Sequence, residues 1–205
     1  LVKGLVNLER HILNIKKFVL EPIVAINHFA LDTKKEIDVV LNFCKNMNVQ
    51  VSECKHWEMG GKGTTDLAKK VVKTCKDSKK SNFKLLYEDN LNLWDKIEKI
   101  VKEIYRGNGI TANEDVKEQL KVFENNGYKS LPVCIAKTQY SFSTDPKLKG
   151  APLNHEIPIR EVRLSSGAEF IVVVCGSIMT MPGLPRVPAA NNIKLNKKGD
   201  VEGLF

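Results

Sequence analysis

Residues 5–29 read LVNLERHILNIKKFVLEPIVAINHF, and they indicate the fold class more directly than any other stretch. Apolar residues recur at helical spacing at Leu5, Leu8, Ile12, Ile15 and Val19. This spacing predicts an amphipathic helix, which must end before Pro22 because proline lacks the backbone donor and clashes with the preceding turn. Ile23–Ile26 follows as an unbroken apolar run, which is typical of a parallel strand buried on both faces.

The next fifty residues continue the alternation of helix and strand. The segment from Ile37 to Cys44 is predicted to be a helix, capped by Asp32 or Thr33 with Glu36 close behind. Val49–Ser52 is a second candidate strand. A third helix is marked by Leu67, Ala68, Val71, Val72 and Cys75. Residues 1–78 are therefore predicted to form an α/β unit, the end of a doubly wound parallel-sheet nucleotide-binding domain.

The second half of the chain has a different pattern. The polar stretch Asp77–Asn82 is a predicted boundary, and two helices follow, one from Trp94 to Ile104 and one from Val116 to Phe123. Strands then dominate, and they are predicted at Val133–Ala136, Ile157–Val162, Phe170–Val174, Ile193–Leu195 and Val201–Gly203, with a hairpin turn over Lys197–Asp200. Residues 79–205 thus form a predicted smaller C-terminal α+β domain.

Composition excludes several classes of protein. The net charge of +8 comes mainly from scattered lysines, without the basic stripe interleaved with aromatics that indicates nucleic-acid binding. No apolar stretch approaches the roughly 20 residues that cross a bilayer. The five cysteines are odd in number and lie mostly in apolar runs, which favours reduced, buried thiols in the cytoplasm. Cys54 and His56 have no second ligand pair at zinc spacing, so no bound metal is expected.

Two segments combine an apolar start with a shaped polar loop, the arrangement that builds ligand sites in α/β proteins. Residues 132–146 read PVCIAKTQYSFSTDP, and residues 178–192 read IMTMPGLPRVPAANN. The first supplies a cation, a hydroxyl, an amide and an aromatic ring in succession at Lys137, Thr138, Gln139 and Tyr140. In the second, three prolines and Gly183 restrict the backbone conformation of the loop more than a flexible linker requires.

These segments and several other short motifs resemble formate–tetrahydrofolate ligase (10-formyltetrahydrofolate synthetase). The motifs that carry the resemblance occur in family order: NLERHILNIKKF (7–18), VAINHF (24–29), HWEMGGKG (56–63), KTQYSFS (137–143), MTMPGLP (179–185) and the terminal Gly203-Leu204-Phe205. The resemblance implies an enzyme of one-carbon metabolism that uses ATP with Mg²⁺, formate and tetrahydrofolate as substrates. In the family, ATP phosphorylates formate, and N10 of tetrahydrofolate then attacks the formyl phosphate.

The resemblance also implies that this chain is the C-terminal portion of such an enzyme. A phosphate-binding loop has the pattern Gly-x-x-x-x-Gly-Lys-Ser/Thr, and the nearest string, Gly60–Thr65, departs from it because Gly63 follows Lys62 and His56 stands at the first glycine position. In addition, Leu1 is not methionine, and no strand precedes the first helix. We therefore expect the remaining N-terminal part of the polypeptide to be the main partner, and the chain alone to be inactive.

The resemblance assigns roles to a few residues. Phe29 and Trp57 occupy the positions that flank a flat ligand ring, pterin or adenine. From sequence alone Phe29 is equally well explained as core packing, and for Trp57 core packing is the better explanation. Asn27 and the four residues Lys137–Tyr140 are expected to line the nucleotide or folate cleft, although Lys137 alone would suggest a solvated lysine. Gly60, Gly61 and Gly63 either present N–H groups to an anion or form the turn that supports Trp57, which we favour. No catalytic residue is predicted.

Two functions remain open at this point. The first is the C-terminal part of an ATP-dependent cytoplasmic ligase, with a mitochondrial location not excluded, in a homo-oligomer that binds small-molecule substrates and neither nucleic acid nor membrane. The second is a non-catalytic binding or interaction module derived from the same family. A phosphate-binding loop encoded upstream of Leu1 would favour the enzyme.

Overall fold

The computed structural model describes residues 1–77, 83–179 and 185–203. These residues form six α-helices: α1 (Leu5–Lys16), α2 (Lys34–Asn46), α3 (His56–Met59), α4 (Thr65–Asp77), α5 (Leu93–Ile100) and α6 (Glu114–Asn125). They also form eight strands: β1 (Ile23–Asn27), β2 (Gln50–Cys54), β3 (Gly109–Ala112), β4 (Val133–Ala136), β5 (Glu156–Ser165), β6 (Phe170–Cys175), β7 (Lys194–Leu195) and β8 (Val201–Glu202). The chain is thus a mixed α/β protein.

Residues 1–77 contain a two-stranded parallel sheet. β1 pairs with β2 in register, from Ile23 opposite Gln50 to Asn27 opposite Cys54. The connecting helix α2 begins with a capping box, in which the Thr33 hydroxyl accepts the Glu36 N–H while the Glu36 carboxylate accepts the Thr33 N–H. Of the two caps that the sequence allowed, the structure uses Thr33.

The first strand has the apolar run that is typical of a strand buried on both faces, but the described chain covers it only in part. Ala25 is exposed, and Ile23, Val24 and Ile26 are only half-buried. Within the described residues each of the two strands has one neighbour, and α4, which packs on them, has no buried residue of its own. A sheet of two strands has too little surrounding structure to cover an apolar run completely, and Leu5 and Leu8 of α1 are likewise half-buried.

Residues 83–179 contain a four-stranded mixed sheet with the order β3-β5-β6-β4. The outer strands run parallel to their neighbours, and the central pair β5–β6 is antiparallel, with a bulge between Ile159 and Glu161. α5 and α6 pack on this sheet. Together they enclose one apolar core, formed by Leu93, Ile97, Val101, Val116, Leu120, Phe123, Ile157, Ile159, Ile171, Val173 and Cys175.

The sequence pattern did not reveal β3. This strand has four residues and begins with Gly109, so it offers neither length nor alternation. The helix before it ends in a π-helical turn, Val101–Tyr105, and Arg106 then adopts a left-handed conformation with φ of 58°. That reversal sends the chain back along the sheet.

A lysine is buried between α5 and the 3₁₀ turn Tyr128–Ser130. The Lys96 side chain is fully buried, and its ammonium donates hydrogen bonds to the carbonyls of Lys129 at 2.7 Å and Leu131 at 3.1 Å. It also lies 5.6 Å from the centre of the Tyr87 ring. Burial lowers the pKa of Lys96. The ammonium thereby ties the chain before β4 to α5.

Helix α1 contacts the larger sheet region through polar side chains. Arg10 donates to the carbonyls of Tyr105 at 3.2 Å and Ala151 at 3.3 Å, and Asn14 donates to Ile104 O at 3.1 Å. Lys17 forms an ion pair with Glu103. The predicted domain boundary falls largely in residues 78–82, outside the described residues.

The remaining sequence predictions have mixed outcomes. The hairpin turn is confirmed: β7 and β8 pair antiparallel around Gly199, whose φ is +87°. Cys44, Cys54 and Cys175 are buried, but Cys75 and Cys134 are exposed, so the expectation of buried thiols fails for these two. In the described parts of the chain, no helix has both the length and the apolar character for a membrane span. Most of the Met179–Pro185 motif and the terminal Leu204-Phe205 lie outside the described residues.

Candidate functional site

Two aromatic rings meet where the two parallel strands end. Phe29 follows β1 and Trp57 follows β2, and their ring centres are 6.0 Å apart at an interplanar angle of 56°. Phe29 is 46% exposed and Trp57 is 72% exposed, so neither ring is packed inside an apolar core. In open α/β sheets ligands gather at the carboxyl ends of the strands, and this ring pair is half open to solvent at that edge.

Backbone hydrogen bonds hold the two ring-bearing segments, the loop of Phe29 and the short helix α3 that carries Trp57. The His28 N–H donates to Cys54 O at 3.0 Å, which extends the β1–β2 pairing one step into the loop. The Phe29 N–H donates to the Asp32 carboxylate at 2.8 Å. On the other side, the Lys55 N–H donates to Gly63 O at 3.1 Å. Both segments are therefore fixed close to the strand ends.

The glycine-rich turn packs against the backbone that carries Trp57. A Cβ atom on Gly63 would lie 2.4 Å from the carbonyl carbon and oxygen of Lys55, closer than real contacts allow. Gly60 has a left-handed φ of +56°, whereas Gly61 has open space around it. The geometry thus matches a supporting turn, and it requires glycine at positions 60 and 63 for different reasons.

A small charged cluster lies beside the ring pair. Asn27 ends β1 with an exposed side chain. Nδ1 of His28 lies 2.6 Å from Oε1 of Glu53, and the Lys55 ammonium lies 3.5 Å from the same oxygen. The hydrogen bond with His28 lowers the pKa of Glu53, and Lys55 adds to this effect. Glu53 is therefore ionised at neutral pH.

The four residues after β4 line a second cleft of about 430 Å³. Lys137, Thr138, Gln139 and Tyr140 form one wall. The other lining residues are Asn7, His11, Tyr105, Ile135, Ser141 and Phe142. Phe29 and Trp57 are not among the residues that line this cleft, so the structure forms two separate groups from the predicted site residues.

Lys137 is not a solvated lysine. Its ammonium donates to Thr138 O at 2.9 Å and to Ser141 O, and it lies 4.9 Å from the centre of the Tyr105 ring. Burial lowers the pKa of Lys137. The side chain thus shapes the 138–141 loop as well as lining the cleft.

Comparisons with known proteins bear on the whole chain. The family profile described as formate–tetrahydrofolate ligase matches residues 1–205. A formate–tetrahydrofolate ligase of Pelagibacter ubique is 58% identical over 205 residues, and one of Ruegeria pomeroyi is 54% identical over 203 residues. The chain belongs to the formate–tetrahydrofolate ligase family. It is 100% and 99% covered by these two alignments, respectively, but spans only 36% of the length of either relative.

Sequence reasoning missed the cleft residues of this ligase-family chain that come from distant segments. Asn7 and His11 lie on α1, and the His11 ring is 4.9 Å from that of Phe142 at 44°. Burial raises the pKa of Tyr105 to about 12. The NLERHILNIKKF motif of the ligase resemblance was the one sequence signal for a functional role of α1, and it did not specify a role for any single residue.

In the described parts of this ligase-family chain, no group of three or more His, Cys, Asp or Glu side chains is arranged to hold a metal ion.

Proposed function

We propose that this chain is the C-terminal portion of an ATP-dependent formate–tetrahydrofolate ligase that makes 10-formyltetrahydrofolate through formyl phosphate. In that reaction the γ-phosphoryl group of ATP passes to formate, and N10 of tetrahydrofolate then attacks the formyl carbon and releases phosphate. Phosphoryl transfer depends on Mg²⁺, lysine and backbone N–H groups around the phosphates. This chain has no phosphate-loop sequence, so its part is to hold the rings of the substrates.

The contact between Phe29 and Trp57 carries this proposal. Two tilted aromatic rings with their faces partly open to solvent offer a flat ligand ring, pterin or adenine, an edge-to-face or offset contact. Such contacts contribute roughly 0.5–1.5 kcal/mol beyond the burial of apolar area. Asn27 at the end of β1 adds an amide for the ring edge, and the turn that contains Gly60, Gly61 and Gly63 supports Trp57.

The β1–β2 pair is proposed to be the last part of a doubly wound nucleotide-binding sheet. Each strand has one neighbour in the described chain, and Val71 and Val72 of α4 are 43% and 51% exposed. Strands and helix faces of this kind are normally covered in α/β proteins. The N-terminal part of the polypeptide or a second subunit of a homo-oligomer would cover them. The alternative of a self-contained, non-catalytic module has no such support.

The cleft at Lys137–Tyr140 is proposed as a second wall of the nucleotide or folate site. Its lining mixes amides, hydroxyls and aromatic rings, the composition typical of a site that orients a polar small molecule. We place the enzyme in the cytoplasm, with ATP–Mg²⁺, formate and tetrahydrofolate as its substrates.

Replacing the tryptophan of the ring pair tests the proposal. In the intact protein, Trp57→Ala should raise the KM for tetrahydrofolate or ATP about tenfold with little change in kcat, because stacking is made in ground and transition states alike. Trp57→Phe should recover most of the loss. Leu31→Ala is the control, since Leu31 is 94% exposed in the loop that follows Phe29. Equal KM values for Trp57→Ala and the control would refute the stacking role.

A further inference from the structure

The cleft beside β4 is lined by basic groups without any acid. Its ten lining residues include His11 and Lys137, and none of the ten is aspartate or glutamate. Arg10 lies next to His11 on α1, where its guanidinium is 5.2 Å from the centre of the Phe142 ring. On a lysine-rich surface such groups are usually paired with acids, so a basic cleft lining without acids is informative.

The charge of Lys137 is not neutralised by its contacts. An ammonium has three N–H donors, and the two acceptors that Lys137 uses are the neutral carbonyls of Thr138 and Ser141. Arg10 is held in the same way by the carbonyls of Tyr105 and Ala151. Carbonyl oxygens satisfy donors but carry no net charge, so among the described residues neither cation has a carboxylate in direct contact with it.

His11 lies in the field of these two cations. Burial, Lys137 and Arg10 together lower its pKa, which is the response of an imidazole to desolvation and positive neighbours. Neither ring nitrogen of His11 has a hydrogen-bond partner among the described residues. The imidazole is thus available to a ligand in the cleft, and a bound anion would favour its protonated form.

Neutral donors complete the lining. Asn7 and Gln139 contribute side-chain amides. The Tyr105 hydroxyl stays protonated at neutral pH, because its pKa is about 12. A carboxylate or phosphate group accepts hydrogen bonds from donors of these kinds, whereas a cation would be repelled by the Lys137 ammonium.

We propose that this cleft binds an oxyanion, the carboxylate or phosphate group of a small-molecule substrate, between His11 and Lys137. The choice of substrates to test rests on the proposed ligase function. Formate also carries a carboxylate, but it is far smaller than a cleft of about 430 Å³. The two sources to test are therefore the glutamate tail of the folate and the phosphates of the nucleotide.

Direct binding to the intact protein tests the cleft without relying on activity. Calorimetric titration with tri-γ-glutamate and, separately, with inorganic pyrophosphate should detect binding of one of them that weakens as salt is added. His11→Gln should weaken that binding about tenfold, as expected for loss of a charge-assisted hydrogen bond. Lys137→Gln should do the same, and the matched control is Lys147→Gln, which removes an exposed lysine outside the cleft.

Lys137 also holds the 138–141 loop, so Lys137→Gln changes the loop as well as the charge. His11→Gln is therefore the decisive variant. Weakened binding of tri-γ-glutamate, with a raised KM for triglutamyl tetrahydrofolate, identifies the folate tail. Weakened binding of pyrophosphate, with a raised KM for ATP, identifies the nucleotide. If neither probe binds, or if its affinity in His11→Gln stays within about twofold of the Lys147→Gln control, the anion cleft is refuted. Absence of ligase activity in the intact wild-type protein would refute the proposed function instead and leave the binding result standing.

Discussion

The two sheet regions of this chain are stabilised in different ways. Residues 83–179 surround one apolar core of fully or nearly fully buried side chains. Residues 1–77 have two strands with one neighbour each and a helix, α4, without a buried residue. Their tertiary contacts include side-chain hydrogen bonds, such as Ser52 to Asp66 at 2.6 Å and His28 to Glu53 at 2.6 Å.

The difference shows where each region obtains its stability. An apolar core contributes about 25 cal/mol for each Å² removed from water, and residues 83–179 bury that area within themselves. Residues 1–77 leave much of their apolar surface open, so additional polypeptide has more to contribute there. The Phe29–Trp57 ring pair lies in residues 1–77, the region with open apolar surface. The cleft beside β4 lies where α1 contacts residues 83–179.

The largest expected effect concerns activity. The 205-residue chain alone should show no ADP release that depends on formate and tetrahydrofolate, because its sequence lacks the phosphate-loop pattern. The measurement is a coupled assay of the purified chain beside the intact protein. Measurable turnover by the chain would mean that residues 1–77 are complete without further cover, and the contrast between the regions would lose its functional meaning.

A matched pair of isoleucines measures the contrast directly. Ile97 of α5 is fully buried, and Ile15 of α1 is 42% exposed. Ile97→Ala should lower the free energy of unfolding by about 3–4 kcal/mol through lost burial and a residual cavity. Ile15→Ala should lower it by less than about 1 kcal/mol. Urea denaturation followed by circular dichroism gives both values, and similar losses in the two variants would contradict separate modes of stabilisation.

Two glycines test how the supporting turn holds Trp57. Gly63→Ala should lower the free energy of unfolding by about 1–3 kcal/mol through the clash with the Lys55 backbone and should change the fluorescence of Trp57. Gly61→Ala, with open space around it, should change stability by less than about 0.5 kcal/mol. Both are measured in a Trp94→Phe background, so that Trp57 is the single emitter. Unchanged emission in Gly63→Ala would remove the supporting role.

The smallest effect concerns acid. Hydrogen bonds lower the pKa of Glu53, through His28, and that of Asp66, through Lys70 and Ser52. A carboxyl group whose pKa is lowered on folding stabilises the fold above its unfolded value and loses this contribution as pH falls through the folded value. The loss therefore begins below about pH 4.5 for Glu53 and 3.8 for Asp66, and it acts on residues 1–77.

Fluorescence during acid titration checks this order. With Trp94→Phe the signal reports on Trp57, and with Trp57→Phe it reports on Trp94 near the apolar core. The midpoint for Trp57 should lie at the higher pH. Glu114 also has a lowered pKa, but its partner Lys117 lies on the same helix. Protonation of Glu114 therefore breaks no contact between different helices or strands. A higher midpoint for Trp94 would reverse the comparison.

The sequence predicted most elements because their patterns are local. Helical spacing located α1, α2, α4 and α6, and the strand Val133–Ala136 has the predicted bounds. β3 was not predicted because its four residues, which begin with glycine, are too few to show a strand periodicity. The apolar run of β1 indicates a strand that requires cover on both faces, but it does not say which part of the polypeptide covers it.

The candidate site was predictable only where it follows strand ends. The Phe29–Trp57 contact follows from two adjacent parallel strands in register, which bring their carboxyl ends to one edge. The basic cleft does not, because it joins His11 to Lys137 across more than half of the chain. Asn14 and Ile104 likewise meet at a sequence separation of 90 residues. No local pattern encodes contacts of this range.

The buried Lys96 ammonium has a practical consequence for chemical labelling. Amine-reactive reagents need an accessible, deprotonated nitrogen, and the Nζ of Lys96 is shielded by Tyr87 and engaged with two carbonyls. This lysine can be acylated only when α5 and the Tyr128–Ser130 turn separate. The rate at which Lys96 is modified, measured by mass spectrometry and compared with the rate for exposed lysines, therefore reports how often the larger sheet region opens.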